Sequence, residues 1–181
     1  MRKKIWNDED LKYQIEIATQ TLDRNINFIM SCDNKASILI TFIGIVLTIT
    51  LTSDIIIKIK KMIIGISGCK IIYLVSLFIS GILICCGIYN TISVLVARVA
   101  VCEENKSKLF FRDIGKYISS DKYVNDFIHF EKEEILEDLI NQIYVNSKIS
   151  IEKYKKYNKG LKCTISGLMI FIVIIIISNI Q

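Results

Sequence analysis

The chain has 181 residues, which suggests one compact unit rather than several domains, and 52% of them are hydrophobic, with a mean hydropathy of +0.45. The net charge is +5, but the lysines are spread over several segments and are not gathered with aromatics into one stripe, which argues against a nucleic-acid-binding surface. Pro is absent and Gly occurs only 8 times, so we expect an almost wholly helical protein.

The N-terminal segment predicts an amphipathic helix that begins near Asn7. Asn7 can cap free N–H groups, and the acidic run Asp8–Asp10 suits the positive end of the helix dipole. An apolar stripe then recurs at spacings of three and four residues: Leu11, Ile15, Ala18, Leu22, Ile26 and Ile29. The first Gly is Gly44, so we expect this helix to continue into the apolar stretch that follows.

Three uncharged stretches predict transmembrane helices. The first runs from Ala36 to Ser53, and its 18 residues would span about 27 Å as a helix, close to the hydrocarbon thickness of about 30 Å. The second, from Ile71 to Ala97, has 27 residues, which is enough to cross with tilt. The third, from Cys163 to Gln181, has 19 residues.

Small residues recur in two of these spans. Ser76-x-x-x-Ser80 lies in the second span, and Cys163-x-x-x-Gly167 lies in the third. Patterns of this kind let helix backbones approach closely, although they are common by chance.

Residues 98–162 form the only sizeable polar region. Apolar and aromatic residues alternate with charges in a helical manner from Phe110 to Ile118, and Ser119-Ser120-Asp121 predicts a break followed by a new helix cap. From there we predict one long amphipathic helix that continues through Tyr154 toward Gly160. Its apolar residues lie close to one face: Val124, Ile128, Ile135, Leu139 and Ile143.

Three spans place the N-terminus and the polar region on the same side of the membrane. Basic residues number 6 before Ala36 and 13 in residues 98–162, against 4 in the connection between the first two spans. The positive-inside rule therefore predicts a cytoplasmic polar region. The predicted fold class is all-α: a three-span membrane protein with cytoplasmic amphipathic helices.

The predicted organisation has four segments. These are an N-terminal cytoplasmic amphipathic helix (1–35), a transmembrane hairpin (36–97, with spans 36–53 and 71–97), a cytoplasmic helical region (98–162) and a C-terminal transmembrane span (163–181).

The sequence contains no catalytic constellation. It lacks the G-x-S-x-G, H-E-x-x-H, Walker A and G-x-G-x-x-G motifs, and its one histidine, His129, excludes a conventional two-histidine site. None of the 6 cysteines forms a C-x-x-C pair, and most lie in or beside apolar spans as small apolar residues. The acidic run Glu131–Asp138 is more typical of a solvated helix face than of a cation site. We therefore expect no enzymatic activity, cofactor or metal.

Three polar residues, Asp33, Asn34 and Lys35, stand immediately before the first span and allow two interpretations. In one they are interfacial: Lys35 extends to lipid phosphates, and Asp33 pairs with it or with another base. In the other they line a polar pocket where the N-terminal helix, the first span and the cytoplasmic helices meet. Arginines that supply charge for a phosphate and aromatics that stack on a base would complete that pocket: Arg24, Arg98 and Arg112, with Phe111 or Tyr154.

Several short matches resemble one known family, the Pycsar membrane effectors. Arg24-Asn25, then Phe28, then Asp33-Asn34-Lys35-Ala36-Ser37 are similar to the start of that family. Leu109-Phe110-Phe111 after the second span, and the run from Ile149 through Lys153-Tyr154, are similar to its later parts. The D-x-K-A-S piece is the most specific of these matches, and the resemblance covers nearly the whole chain as an order of elements.

The resemblance implies a bacterial antiphage effector of the cell inner membrane. In that family a partner cyclase makes a cyclic pyrimidine mononucleotide on infection, and the effector responds, impairs the membrane and halts the cell before phage mature. The ligand would then be cCMP or cUMP, and the other partners would be membrane lipid and further copies of the chain, with no nucleic acid. The predicted nucleotide-binding residues are Arg24, Asp33, Asn34, Lys35, Arg98, Phe111 and Arg112.

Two other classes of function stay open from the residues alone. One is a membrane anchor or scaffold whose amphipathic helix docks a partner. The other is a membrane-disrupting protein triggered by a protein partner or by a different cyclic nucleotide.

Overall fold

The computed structural model describes residues 7–52, 57, 59, 70–96 and 107–180. Every element in those ranges is an α-helix, and in chain order they are α1 (Asp8–Thr52), α2 (Lys70–Leu95), α3 (Phe111–Ile114), α4 (Ser120–Ile128) and α5 (Lys132–Ile180). Three of them, α1, α2 and α5, are long and apolar enough to cross a membrane. The predicted all-α, three-span fold is confirmed, and the membrane side of the polar region stays a prediction.

Two helices are much longer than a membrane span. α1 has 45 residues and runs without a break from the amphipathic N-terminal segment into the first span, as predicted. α5 has 49 residues and runs from the polar region into the third span. Both predicted segment boundaries, at 35/36 and at 162/163, therefore lie inside continuous helices. Most of the predicted connection 54–70 lies outside the described residues.

The chain packs as two units, each with its own contacts. The polar unit comprises Met1–Met30 and Arg98–Ile151, and the spanning unit comprises Ser31–Ala97 and Glu152–Gln181.

In the polar unit, the apolar stripe of α1 packs against α5. Leu11, Ala18 and Leu22 are buried together with Leu136 and Leu139. Partly buried residues pack around this cluster: Ile15, Leu109, Ile135 and Ile143. Burial of these side chains is the main stabilising contribution to the contact, since each fully buried Leu contributes about 1.5–3 kcal/mol.

The predicted stripe gives way to a polar contact one turn later. Ile26 is 40% exposed. Its neighbour Asn25 instead donates Nδ2–H bonds to the Ser147 hydroxyl at 2.9 Å and to the Ile143 carbonyl at 3.3 Å. The Asn25 amide thus donates hydrogen bonds to a side-chain acceptor and a backbone acceptor of α5 at once.

The predicted cap of α4 is present. Ser119 has extended backbone angles, and its side chain accepts a hydrogen bond from the Lys122 N–H, which satisfies one of the free donors of the first turn. The helical segment expected between Phe110 and Ile118 is shorter than predicted, since α3 covers only Phe111–Ile114.

The prediction of a single long helix from Ser119 onward is wrong, because the helix is interrupted at residues 129–131. His129 ends α4, and its Nδ1 lies 2.7 Å from the Asn125 carbonyl oxygen, so the ring occupies an acceptor at the helix end. The break separates the predicted apolar face into two parts. Val124 and Ile128 on α4 are exposed, whereas Leu139 on α5 is buried.

In the spanning unit, α2 and α5 run antiparallel and approach at small residues. The Tyr73 hydroxyl donates to the Ile174 carbonyl at 2.7 Å, and the Ser80 hydroxyl donates to the Gly167 carbonyl at 2.9 Å. Farther along, Gly87 faces Gly160, and the space beside each glycine is filled by the other backbone and by a threonine. The threonines are Thr164 opposite Gly87 and Thr91 opposite Gly160.

One member of each predicted small-residue pattern hydrogen-bonds across this contact, since Ser80 donates to the Gly167 carbonyl. Further close contacts come from residues outside the predicted patterns: Gly87, Thr91, Gly160 and Thr164. We call these six residues the glycine seam.

Replacing Gly160 with Ala should destabilise the α2–α5 contact by about 1–3 kcal/mol, the usual cost of overpacking. The added Cβ would lie 2.6 Å from Thr91 Oγ1 and 3.1 Å from the Gly87 carbonyl oxygen, and the backbone atom cannot turn aside. Thermal unfolding of detergent-purified protein measures the effect. Gly81→Ala is the matched control, because no atom lies within 4 Å of its new Cβ. Equal unfolding temperatures for the two variants would contradict tight packing at the glycine seam.

Acidification should destabilise the α3 region, because it protonates Asp113. The carboxylate accepts from Lys116 Nζ at 2.6 Å and from the Ser107 N–H at 3.3 Å. The Lys116 hydrogen bond is the largest influence and lowers the pKa of Asp113. Because the folded-state pKa is depressed, the stabilisation is present above the unfolded pKa and is lost as pH falls through the folded one.

Asp113→Asn should therefore lower the unfolding temperature at about pH 6 and have progressively less effect toward about pH 3. Asp23→Asn removes an exposed carboxylate from the same unit and serves as the control. A difference between wild type and Asp113→Asn that does not shrink on acidification would count against this role of Asp113.

Candidate functional site

Helices α1, α2 and α5 meet around a small apolar cluster at the start of the first span. Cys32 and Ala36 of α1 and Val94 of α2 are fully buried, with Tyr154 and Tyr157 of α5 packed against them. Burial, and next the Asp33 carboxylate, raise the pKa of the Cys32 thiol. Cys32 is therefore neutral and serves as a small apolar residue, as the sequence predicts for the cysteines.

A buried ion pair lies beside this cluster. Lys153 Nζ donates to Asp33 Oδ1 at 2.6 Å, and the two side chains differ in burial: that of Lys153 is 5% exposed and that of Asp33 is 34% exposed. Removing one partner of a fully buried ion pair costs about 3–5 kcal/mol, because the other charge is left unpaired. Here the cost is larger for loss of Asp33 than for loss of Lys153, since the Lys153 side chain is the more buried of the two.

The sequence interpretation paired Asp33 with Lys35 or with another base, and the base is Lys153. Lys153 was not among the predicted site residues. A signal for it was present in the sequence, because Lys153, Tyr157 and Gly160 are spaced by four and three residues. That spacing continues into the glycine seam and places the lysine on the buried face of α5.

The two other polar residues of the predicted trio are accessible. Asn34 and Lys35 are both exposed, and Lys35 Nζ lies 5.7 Å from the centroid of the Tyr154 ring. A cation–π contact at an exposed position contributes about 0.5–1 kcal/mol. Within the described part of the chain, Lys35 has no carboxylate partner, so its charge is available to an anion.

The structure brings together only part of the predicted site. Asp33, Asn34 and Lys35 lie with Tyr154 in the spanning unit. The other members belong elsewhere: Arg24, Phe111 and Arg112 are in the polar unit, and Arg98 is outside the described residues. Their convergence with the trio stays a prediction.

The polar-unit members differ in accessibility. Arg24 is exposed on α1, and Arg112 is half-buried on α3. Phe111 is 69% exposed, and its ring centroid lies 4.7 Å from that of Phe110. An exposed aromatic ring of this kind has a face available for stacking.

Comparison with known proteins identifies the family. A family model described as the Pycsar effector protein domain matches residues 17–178. The chain belongs to the Pycsar effector family. It is 29% identical to the Pycsar effector protein GmPycTM of Gulbenkiania mobilis, in a match that covers 88% of this chain and 90% of that protein. No solved structure matches the chain.

The family resemblance drawn from the D-x-K-A-S piece and the later matches is thus confirmed. The chain is a Pycsar effector with a role in antiphage defence, and its three apolar helices make it a membrane protein. The family match includes every residue of the ion pair and of the accessible Lys35–Tyr154 contact.

The chemistry of this edge of the Pycsar effector suits anion binding. Lys153 carries three N–H donors and Lys35 three more, and Tyr154 adds an aromatic face beside Lys35. Lys35 can meet a ligand directly, whereas Lys153 is held by Asp33. Asp33 and Lys35 lie on one turn of α1, and Lys153 of α5 reaches the Asp33 carboxylate.

Proposed function

We propose that this Pycsar effector senses a cyclic pyrimidine mononucleotide, cCMP or cUMP, made by a partner cyclase, and that it responds by impairing the cell inner membrane. Family membership over residues 17–178 is the observation that carries the proposal. The polar unit faces the cytoplasm, where the nucleotide would be made, in agreement with the basic residues of that side. The outcome is abortive infection.

The nucleotide binds at the polar edge of the first span. A 3′,5′-cyclic phosphate carries one negative charge, which the exposed Lys35 attracts, and Tyr154 lies beside Lys35 as a surface for the base. Asn34 is exposed on the same turn and offers amide donors and an acceptor. Arg24, Arg98, Phe111 and Arg112 stay predicted members of the site.

Ligand binding changes the protein only if the nucleotide prefers one arrangement of the helices. α1 is one continuous helix from Asp8 to Thr52, so a change at Lys35 is transmitted directly into the first span. We infer that nucleotide shifts α1 against the polar helices and that the linked spans of several copies then reassociate into a leaky assembly.

A pyrimidine nucleotide should stabilise the purified effector. A ligand that binds the native state raises its apparent stability by about 2.7 kcal/mol at a concentration of 100 times Kd. The measurement is a thermal-shift series in detergent with cCMP, cUMP, cAMP and cGMP. Stabilisation by one pyrimidine nucleotide alone supports the proposal, and no stabilisation by any of the four argues for a protein trigger or a different messenger.

Removing the charge of Lys35 should abolish the response without preventing membrane insertion. Lys35→Gln and Arg24→Gln are the test variants, and leakage of dye from proteoliposomes on addition of nucleotide is the readout. Lys155→Gln is the matched control, because Lys155 is exposed on α5 only two residues from Lys153. It should leak as wild type does. A normal response from both test variants would contradict the proposed site, and absence of leakage from wild type would favour an anchor or scaffold.

A further inference from the structure

The three helices of the spanning unit differ in how extensively they contact one another. α2 and α5 meet through the glycine seam, where backbones touch and where Ser80 and Tyr73 hydrogen-bond to carbonyls of α5. In the same unit α1 buries three residues, Cys32, Ala36 and Ile43. The ion pair from Asp33 to α5 lies at one end of that shallow contact. Within the described part of this unit, α1 therefore has the less extensive contact.

We propose that Lys153 is the cation that receives the cyclic phosphate, and that Asp33 holds Lys153, and α1 with it, in the resting state until nucleotide arrives. This inference rests on the function proposed above. Lys35 and Tyr154 offer a first contact at the surface, and Tyr154 adjoins Lys153 in the chain. The partly exposed Asp33 side chain is the point at which an anion reaches the buried ammonium group.

Competition between two anions releases the contact. The cyclic phosphate and the Asp33 carboxylate are both negative, so they repel each other when both approach Lys153 Nζ. Asp33 can leave because water solvates it, whereas the buried Lys153 needs a counter-ion. Once Asp33 leaves, the buried residues of α1 in the described part of the spanning unit are the apolar Cys32, Ala36 and Ile43.

The inference predicts opposite effects for the two partners of one ion pair. Asp33→Asn leaves a buried ammonium group without its counter-ion, which should raise leakage without nucleotide about tenfold, equivalent to about 1.4 kcal/mol. Lys153→Met keeps the aliphatic stem but removes both the buried charge and the phosphate partner. It should not leak and should not respond to nucleotide. An ion pair with a merely structural role would change leakage in the same direction in both variants.

The double variant completes a double-mutant cycle for the Asp33–Lys153 ion pair. Asp33→Asn combined with Lys153→Met has no unpaired buried charge, so it should be as silent as Lys153→Met alone, and the effects of the single changes should not add. All four proteins are placed in vesicles of phosphatidylethanolamine and phosphatidylglycerol, and dye release is recorded with and without cCMP or cUMP. Circular dichroism of each protein in the same vesicles confirms that its helices are intact.

The outcomes separate this inference from the proposed function. If nucleotide stabilises wild type but Asp33→Asn does not leak, or leaks equally in the double variant, the Asp33–Lys153 mechanism is overturned and nucleotide sensing stands. If Asp33→Asn leaks and the double variant is silent while no nucleotide stabilises wild type, the role of Asp33 in holding α1 stands, whereas the binding of cyclic phosphate to Lys153 is overturned together with nucleotide sensing. A variant that loses its helices is replaced by Asp33→Ser, for which the same leakage is expected.

Discussion

Close backbone contact between α2 and α5 underlies the rest of the spanning unit. Lipid chains are as apolar as the side chains of a transmembrane helix, so burial from water cannot drive two spans together. Packing and hydrogen bonds across the contact must do so instead. Gly87 and Gly160 let the backbones approach, Thr91 and Thr164 fill the space beside them, and Ser80 bonds to a carbonyl of the partner helix. This seam brings α2 and α5 into close contact, and α1 packs beside them at Cys32 and Ala36.

The position of Lys153 connects this helix pair to the function that we propose. The same periodic face of α5 that supplies Gly160 and Thr164 also carries Lys153 toward α1, where a charge is costly unless it is paired. Asp33 supplies the pair from the edge of the first span. In the proposed mechanism, the cation that receives the anion also holds α1 through Asp33, so that nucleotide binding would change the arrangement of the spans.

Helix continuity explains how an event at this edge reaches other parts of the effector. α1 and α5 each extend from the polar unit into a span without a break, and neither contains Pro. The Asn25 amide and the Leu11–Leu22 stripe hold the two helices to each other in the polar unit, and the ion pair does so in the spanning unit. Family membership assigns the molecule to antiphage defence. The proposed response would act on these contacts.

The sequence by itself determined the helical class, the three spans, the continuity of α1 and the cap at Ser119, because each rests on local pattern: uncharged length, a stripe at helical spacing, and a serine before a helix. It also determined the family, through the short run that opens the first span. Only the tertiary structure decided which basic residue pairs with Asp33 and which small residues form the glycine seam. It also showed that the helix is interrupted at His129. The ion pair and the seam depend on side chains that lie up to 120 residues apart in sequence. At the end of α4, the His129 ring contacts the Asn125 carbonyl oxygen. Hydrophobic periodicity carries no information about either kind of contact.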